Sequence, residues 1–105
     1  MSSPWWEHEE AHEEVRAAAL WYEEQSEGLG QRFTDAVETA VASVLDSSVS
    51  WGYYRGRRGS PQFHTRSVPG FPFDVIYMKV DGVIYVLAYA HERRRPGYWM
   101  NRVDS

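Results

Sequence analysis

Apolar residues recur along the first half of the chain at the spacing of one helix face. Ala11, Val15, Ala18 and Tyr22 stand at i, i+4, i+7 and i+11, which predicts a helix over residues 8–26. The Glu pairs at 9/10, 13/14 and 23/24 mostly face water, and the early ones suit the positive end of a helix. Gly28 stops this helix, because glycine takes the left-handed position after a helix end without steric cost. A second helix is predicted from Leu29 to Asp46, with Phe33, Val37, Ala40, Val41, Val44 and Leu45 as its apolar stripe. The link from Ser26 to Gly30 is short, so the two helices form an antiparallel hairpin.

The period changes after residue 50. Residues 51–62 hold three Gly, one Pro and three Arg and read as a loop. Phe63 to Val68 is a weaker strand, and Phe73 to Val80 and Val83 to His91 are strong ones, rich in β-branched and aromatic residues. Asp81-Gly82 between them favours a type I′ turn and a tight hairpin. That turn pairs Val80 with Val83, Met78 with Tyr85, Ile76 with Leu87 and Asp74 with Tyr89, with His91 on the same face. The other face carries Phe73, Val75 and Tyr77 against Ala90, Ala88 and Val86. Both faces are apolar, so both should be covered. The alanines leave room for the helices, which makes the Phe73/Val75 face the expected helix-packed side. The fold class is α+β: an N-terminal antiparallel helical hairpin, about 8–46, on a small antiparallel β-sheet, with sheet and basic tail at about 63–99. Residues 1–105 make a single domain.

Composition narrows the class. A chain of 105 residues with 15% aromatics supports one core and argues against disorder. There is no Cys, hence no disulfide framework and no cysteine nucleophile. The longest apolar run, Val83 to Ala90, is too short to span a bilayer, and the acidic N-terminus is unlike a secretory signal. A cytoplasmic protein with no membrane partner is expected. The net charge of −4 conceals a split: residues 1–50 carry eleven acidic side chains against two arginines, whereas residues 51–105 carry nine basic against four acidic. The second half is therefore the one suited to a polyanion or an acidic partner.

Three segments carry candidate chemistry. His8-Glu9-Glu10-Ala11-His12 matches the zinc-protease pattern, yet it opens a helix in a Glu-rich stretch with little chain before it to build a cleft. It reads as a chance match, so no metal and no cofactor are assigned. The loop Arg55-Gly56-Arg57-Arg58-Gly59 can lie along phosphates, with Tyr53, Tyr54 and Phe63 near enough to stack on bases. The tail from His91 through Arg93, Arg94 and Arg95 to Tyr98 and Trp99 joins a proton-exchanging ring to phosphate-clamping guanidiniums. With Arg66 these residues form a candidate acid–base and anion site, and Asp74 is expected beside His91 across the hairpin.

Taken in order, these blocks resemble the RelE/ParE superfamily, the toxin halves of bacterial type II toxin–antitoxin pairs. The resemblance rests on Ala19-Leu20-Trp21-Tyr22-Glu23, Gly28-Leu29-Gly30, Arg66, Phe71-Pro72-Phe73, the strand Val83 to His91, and His91-Glu92-Arg93-Arg94-Arg95-Pro96. They span about residues 8–99. The resemblance implies an N-terminal strand, here the short stretch from Pro4 to Glu7, before the helical hairpin and the sheet. It also implies a cognate antitoxin as partner, a toxin–antitoxin hetero-oligomer, and a role in growth inhibition or plasmid stabilization.

Function divides within that family. RelE-like members cleave mRNA on the ribosome without a metal, using basic and tyrosine side chains. ParE-like members poison DNA gyrase and need no catalytic set. By resemblance, Arg66, His91, Arg94 and Tyr98 are the catalytic candidates of a nuclease, and Arg55, Arg57, Arg58, Arg93 and Arg95 the candidates for binding nucleic acid or target. Pro69 and Gly70 stand where the RelE group carries a catalytic arginine, and Lys79 is the one lysine. Arg57, Arg58 or His64 would have to substitute. That departure shifts the expectation towards the gyrase inhibitor, with the mRNA endonuclease as the alternative and a non-toxic antitoxin-binding module as a third reading.

Overall fold

A computed structural model describes residues 4–46, 52–56 and 61–103. The first helix, α1 (Glu9–Gln25), starts after His8, which keeps an extended backbone as the cap while its Nδ1 accepts the Glu10 N–H at 3.1 Å. Glu9 and Glu10 in the first turn complement the helix dipole. Gly28, at φ 85°, turns the chain into α2 (Leu29–Leu45). Gly28 offers no side chain as a cap, and Glu23 of α1 supplies one. Its carboxylate accepts the Gly28 N–H at 2.9 Å and the Gly30 N–H at 3.0 Å. The helical hairpin is thus tied at its turn by one side chain that satisfies two otherwise orphaned donors.

Four strands make the sheet: β1 (Trp5–Glu7), β2 (Phe63–Ser67), β3 (Phe73–Val80) and β4 (Val83–His91), in the order β1-β4-β3-β2. β2, β3 and β4 run antiparallel, while β1 adds in parallel to β4, so the sheet as a whole is mixed. Both residues of the β3–β4 turn have positive φ, Asp81 at 52° and Gly82 at 81°, as a type I′ turn requires.

The expected register holds near the turn and then slips. Val80 pairs with Val83, Met78 with Tyr85 and Tyr77 with Val86, but Ile76 pairs with Ala88, Val75 with Tyr89 and Asp74 with Ala90. Leu87 is an extra residue on β4, a β-bulge, so the expected pairs Ile76–Leu87 and Asp74–Tyr89 do not form. The bulge also exchanges faces beyond it. Tyr89 and His91 lie on the helix side with Phe73 and Val75, and Ala88 and Ala90 lie on the opposite side.

The helix-packed face is otherwise the expected one. Phe33, Val37, Ala40, Val41 and Val44 of α2 meet Val75, Tyr77, Ile84, Val86 and Tyr89 in the main core. Phe33 is fully buried and stands within about 5 Å of Tyr22, Phe71 and Phe73 in a ring cluster. The second face is covered by the chain's own tail: Trp99 is buried beside Tyr54, Ile76, Met78, Leu87 and Ala88. The small Ala88 makes room for Trp99 rather than for a helix.

The two helices cross closely at Gly30, where a Cβ would sit 2.5 Å from the Ala19 carbonyl oxygen. Gly30→Ala is expected to lower stability by about 1–3 kcal/mol despite alanine's better helix propensity, because the clash is with backbone. Urea unfolding of the two proteins measures this; an unchanged or raised midpoint would show that the helices separate freely.

Candidate functional site

The sequence candidates fall into two groups, one on β2 against the helices and one around the turn that follows β4. Arg66 lies on β2, paired with Val75, and its Nε donates to Ser43 Oγ of α2 at 3.1 Å. His64, two residues earlier, stacks on Tyr77 with ring centroids 5.2 Å apart and tilts against Tyr53. Both therefore face the helices. Asp74 lines one pocket with His91, as neighbours across the hairpin would, but its cross-strand partner is Ala90 and its carboxylate accepts a hydrogen bond from Ser67 Oγ at 3.2 Å. Arg57 and Arg58 lie outside the described residues.

The second group does assemble. Past β4 the chain turns, with Arg94 N–H donating to the His91 carbonyl at 3.0 Å, and Tyr98 closes a further turn on Arg95. The Tyr54 hydroxyl accepts the Gly97 N–H at 3.0 Å and brings Arg55 to the same place. Arg55, His91, Arg94, Arg95 and Tyr98, with Asp74, line a small pocket of about 70 Å³. Arg55 holds an uncommon left-handed backbone, φ 48°. The Arg94 guanidinium lies 3.9 Å over the Tyr98 ring, a cation–π contact. Arg93 and Arg95 are exposed. Such a pocket matches one phosphate-sized anion better than a large substrate.

The polar centre beside this pocket is one the sequence did not announce. Glu14 of α1 accepts from four donors: Tyr89 N–H at 3.1 Å, the Tyr98 hydroxyl, and Arg102 through Nη1 at 3.0 Å and Nη2 at 3.2 Å. Arg102, only 8% exposed, also donates to the Leu87 carbonyl at 2.9 Å. Glu10 adds a looser ion pair at 3.4 Å from its exposed carboxylate. Nearby, the Tyr89 hydroxyl donates to Glu7 at 2.6 Å, and the other Glu7 oxygen meets His12 Nδ1 at 2.9 Å. The expected solvent-facing role of the 13/14 Glu pair is thus wrong for Glu14. The periodicity did carry a signal, since Glu14 stands one turn before Ala18 on the buried stripe.

This centre fixes the state of its members. Burial, then the Glu14 hydrogen bond and charge, push the Tyr98 hydroxyl well above the usual value of 10.0, against a lowering pull from Arg102 and Arg94. Tyr89 is pushed up further by burial and Glu7. Burial alone would lower Arg102, but Glu14, Tyr98 and Glu10 outweigh it and hold the guanidinium firmly charged. Tyr98 is therefore a locked donor. The first histidines are likewise employed, His8 as a helix cap and His12 on Glu7, and among the described residues no group of three metal-binding side chains occurs. None of the described helices is long and apolar enough to cross a membrane.

No family model, no curated protein and no solved structure matches this chain.

Removing Arg102 leaves Glu14 buried with part of its partners gone, so Arg102→Met is expected to cost about 3 kcal/mol. Glu10→Gln, which touches only the exposed pair, is expected to cost under about 0.5 kcal/mol. Equal losses in thermal unfolding would contradict the described network. The raised tyrosines predict a pH effect as well. Their contribution is whole below about pH 10, where unfolded tyrosine starts to ionise, and is lost as pH rises through the higher folded values. Stability should fall above pH 10, and less steeply in Tyr98→Phe.

Proposed function

We propose that this chain is the growth-inhibiting component of a RelE/ParE-type toxin–antitoxin pair, acting in the cytoplasm by binding DNA gyrase rather than by cutting RNA. The observation that supports binding over cleavage is the Tyr98 hydroxyl, which donates to Glu14 and is held protonated. To take up a proton as a general base the hydroxyl must first be ionised near the working pH, and this one is set against that. Arg66, the other candidate, is bonded to Ser43 of α2 and does not line the pocket that holds Arg94. In this reading Arg93 and Arg95 are target contacts, and a cognate antitoxin with acidic or amphipathic character covers them.

One observation favours the mRNA endonuclease as a second reading. Arg55, distant in sequence, joins His91, Arg94 and Arg95 around one anion-sized pocket, as stabilisation of a phosphate in transit would need.

Induction of the chain alone in a susceptible bacterium tests both. Arrested DNA synthesis with intact transcripts is expected, relieved when Arg93, Arg94 and Arg95 are all replaced by Ala and retained in Tyr98→Phe. Transcripts cut on ribosomes, with cleavage about 100-fold or more weaker in Tyr98→Phe, would replace the gyrase reading by the nuclease one. Normal growth would sink both and leave a non-toxic antitoxin-binding module.

A further inference from the structure

Between the middle of α1 and the end of the sheet lies an open cleft of about 420 Å³, lined by Ala18, Trp21, Tyr22, Pro72, Phe73 and His91. Its volume and aromatic lining are those of a small-molecule site, for which pockets of roughly 300–1,000 Å³ are usual. Neither the core nor the basic pocket accounts for Trp21, which is 56% exposed on a helix whose apolar stripe is already packed. Its exposed ring is open to a ligand at the cleft.

Two polar features narrow the ligand. His91 Nδ1 accepts the Arg93 N–H at 3.0 Å, so the neutral ring carries its proton on Nε2 as a donor. The ring itself is fixed edge-on to Phe73, centroids 5.1 Å apart. A cation lies past the same ring: His91 also lines the small basic pocket, which Arg94 and Arg95 share. Aromatic surface, a ring N–H donor and a neighbouring guanidinium are what a base carrying a phosphate requires. A partner helix fits less well. The helix side of the cleft runs only from Ala18 to Tyr22, about one turn, and the sheet side is its end at Pro72, Phe73 and His91.

We infer that the Trp21–Phe73–His91 cleft binds a purine base with its phosphate directed to Arg94. The base stacks on the aromatic wall and accepts from His91 Nε2. Purines are preferred to pyrimidines because a two-ring system covers more of the wall. The base comes from a free nucleotide or from an unpaired position in a single strand. The inference does not rest on the toxin reading, since such a site can serve either target class.

Titration of the full chain, followed through the indole N–H signal of Trp21, tests it with adenosine 5′-monophosphate, uridine 5′-monophosphate, ribose 5-phosphate and a short single-stranded oligoadenylate. Saturable shifts with the adenine probes, and weaker ones with uridine monophosphate, are expected. Trp21→Ala should weaken binding about tenfold or more, as loss of one base–aromatic stack does, with its thermal unfolding unchanged because Trp21 is exposed. His91→Phe keeps the ring packing and should weaken adenine binding through the lost donor. Response to the oligomer alone would assign the base to single-stranded nucleic acid, and response to the monophosphate alone to a free nucleotide. Equal shifts with ribose 5-phosphate would reduce the site to an arginine–phosphate contact and overturn the inference. Silence with every adenine probe would also overturn it, as would a response only to an apolar helical peptide.

Discussion

Past Val86, no strand among the described residues pairs with the outer side of β4, and its backbone there is satisfied by something else. β1 pairs only as far as Glu7 opposite Val86, and the bulge follows at once. The outward groups beyond that point are met by side chains instead: Arg102 takes the Leu87 carbonyl and Glu14 takes the Tyr89 N–H. An unpaired sheet edge is a liability for aggregation and costs hydrogen bonds if buried. Here one carboxylate from α1 and one guanidinium from the tail close it. Because those two groups also neutralise each other, the helix, the sheet and the tail share one set of polar contacts.

That arrangement explains the placement of the remaining parts. With Arg102 anchored, Trp99 is drawn over the second face of the sheet, and Tyr98 stands between Glu14 and Arg94. The arginines before Tyr98 are left on the outside of the turn that follows His91. The acidic first half and basic second half of the chain are therefore not two separate surfaces throughout. They meet at Glu10, Glu14 and Arg102, while Glu9, Glu13 and Glu24 stay exposed.

Much of the fold was legible because its signals are local. The helical stripes, the Asp81-Gly82 turn and the limits of β3 and β4 follow from periodicity and turn chemistry over a few residues. The bulge was not legible: Val83 to His91 is apolar or aromatic on both faces, so no alternation marks where one residue is extra. That single insertion moved Tyr89 and His91 to the helix side and misplaced Asp74. The candidate site was legible only in part. The run from Arg93 to Tyr98 is adjacent in sequence, whereas Arg55 and Glu14 arrive through contacts that only tertiary structure makes. Glu14 and Arg102 are 88 positions apart, and no spacing rule connects them.

The same separation bears on how the molecule folds and how it is taken apart. β1 joins β4, and α1 joins the tail, across almost the full described length, so both closures carry a large loop entropy before any contact repays it. The helical hairpin and the β3–β4 hairpin form from neighbours and come first; β1 and the segment around Trp99 lock last. A protease that nicks the exposed turn at Glu92 and Arg93 would release the cover of the second face and the cap of the β4 edge in one cut. One exposed turn thus holds, through the residues after it, contacts on two different parts of the sheet.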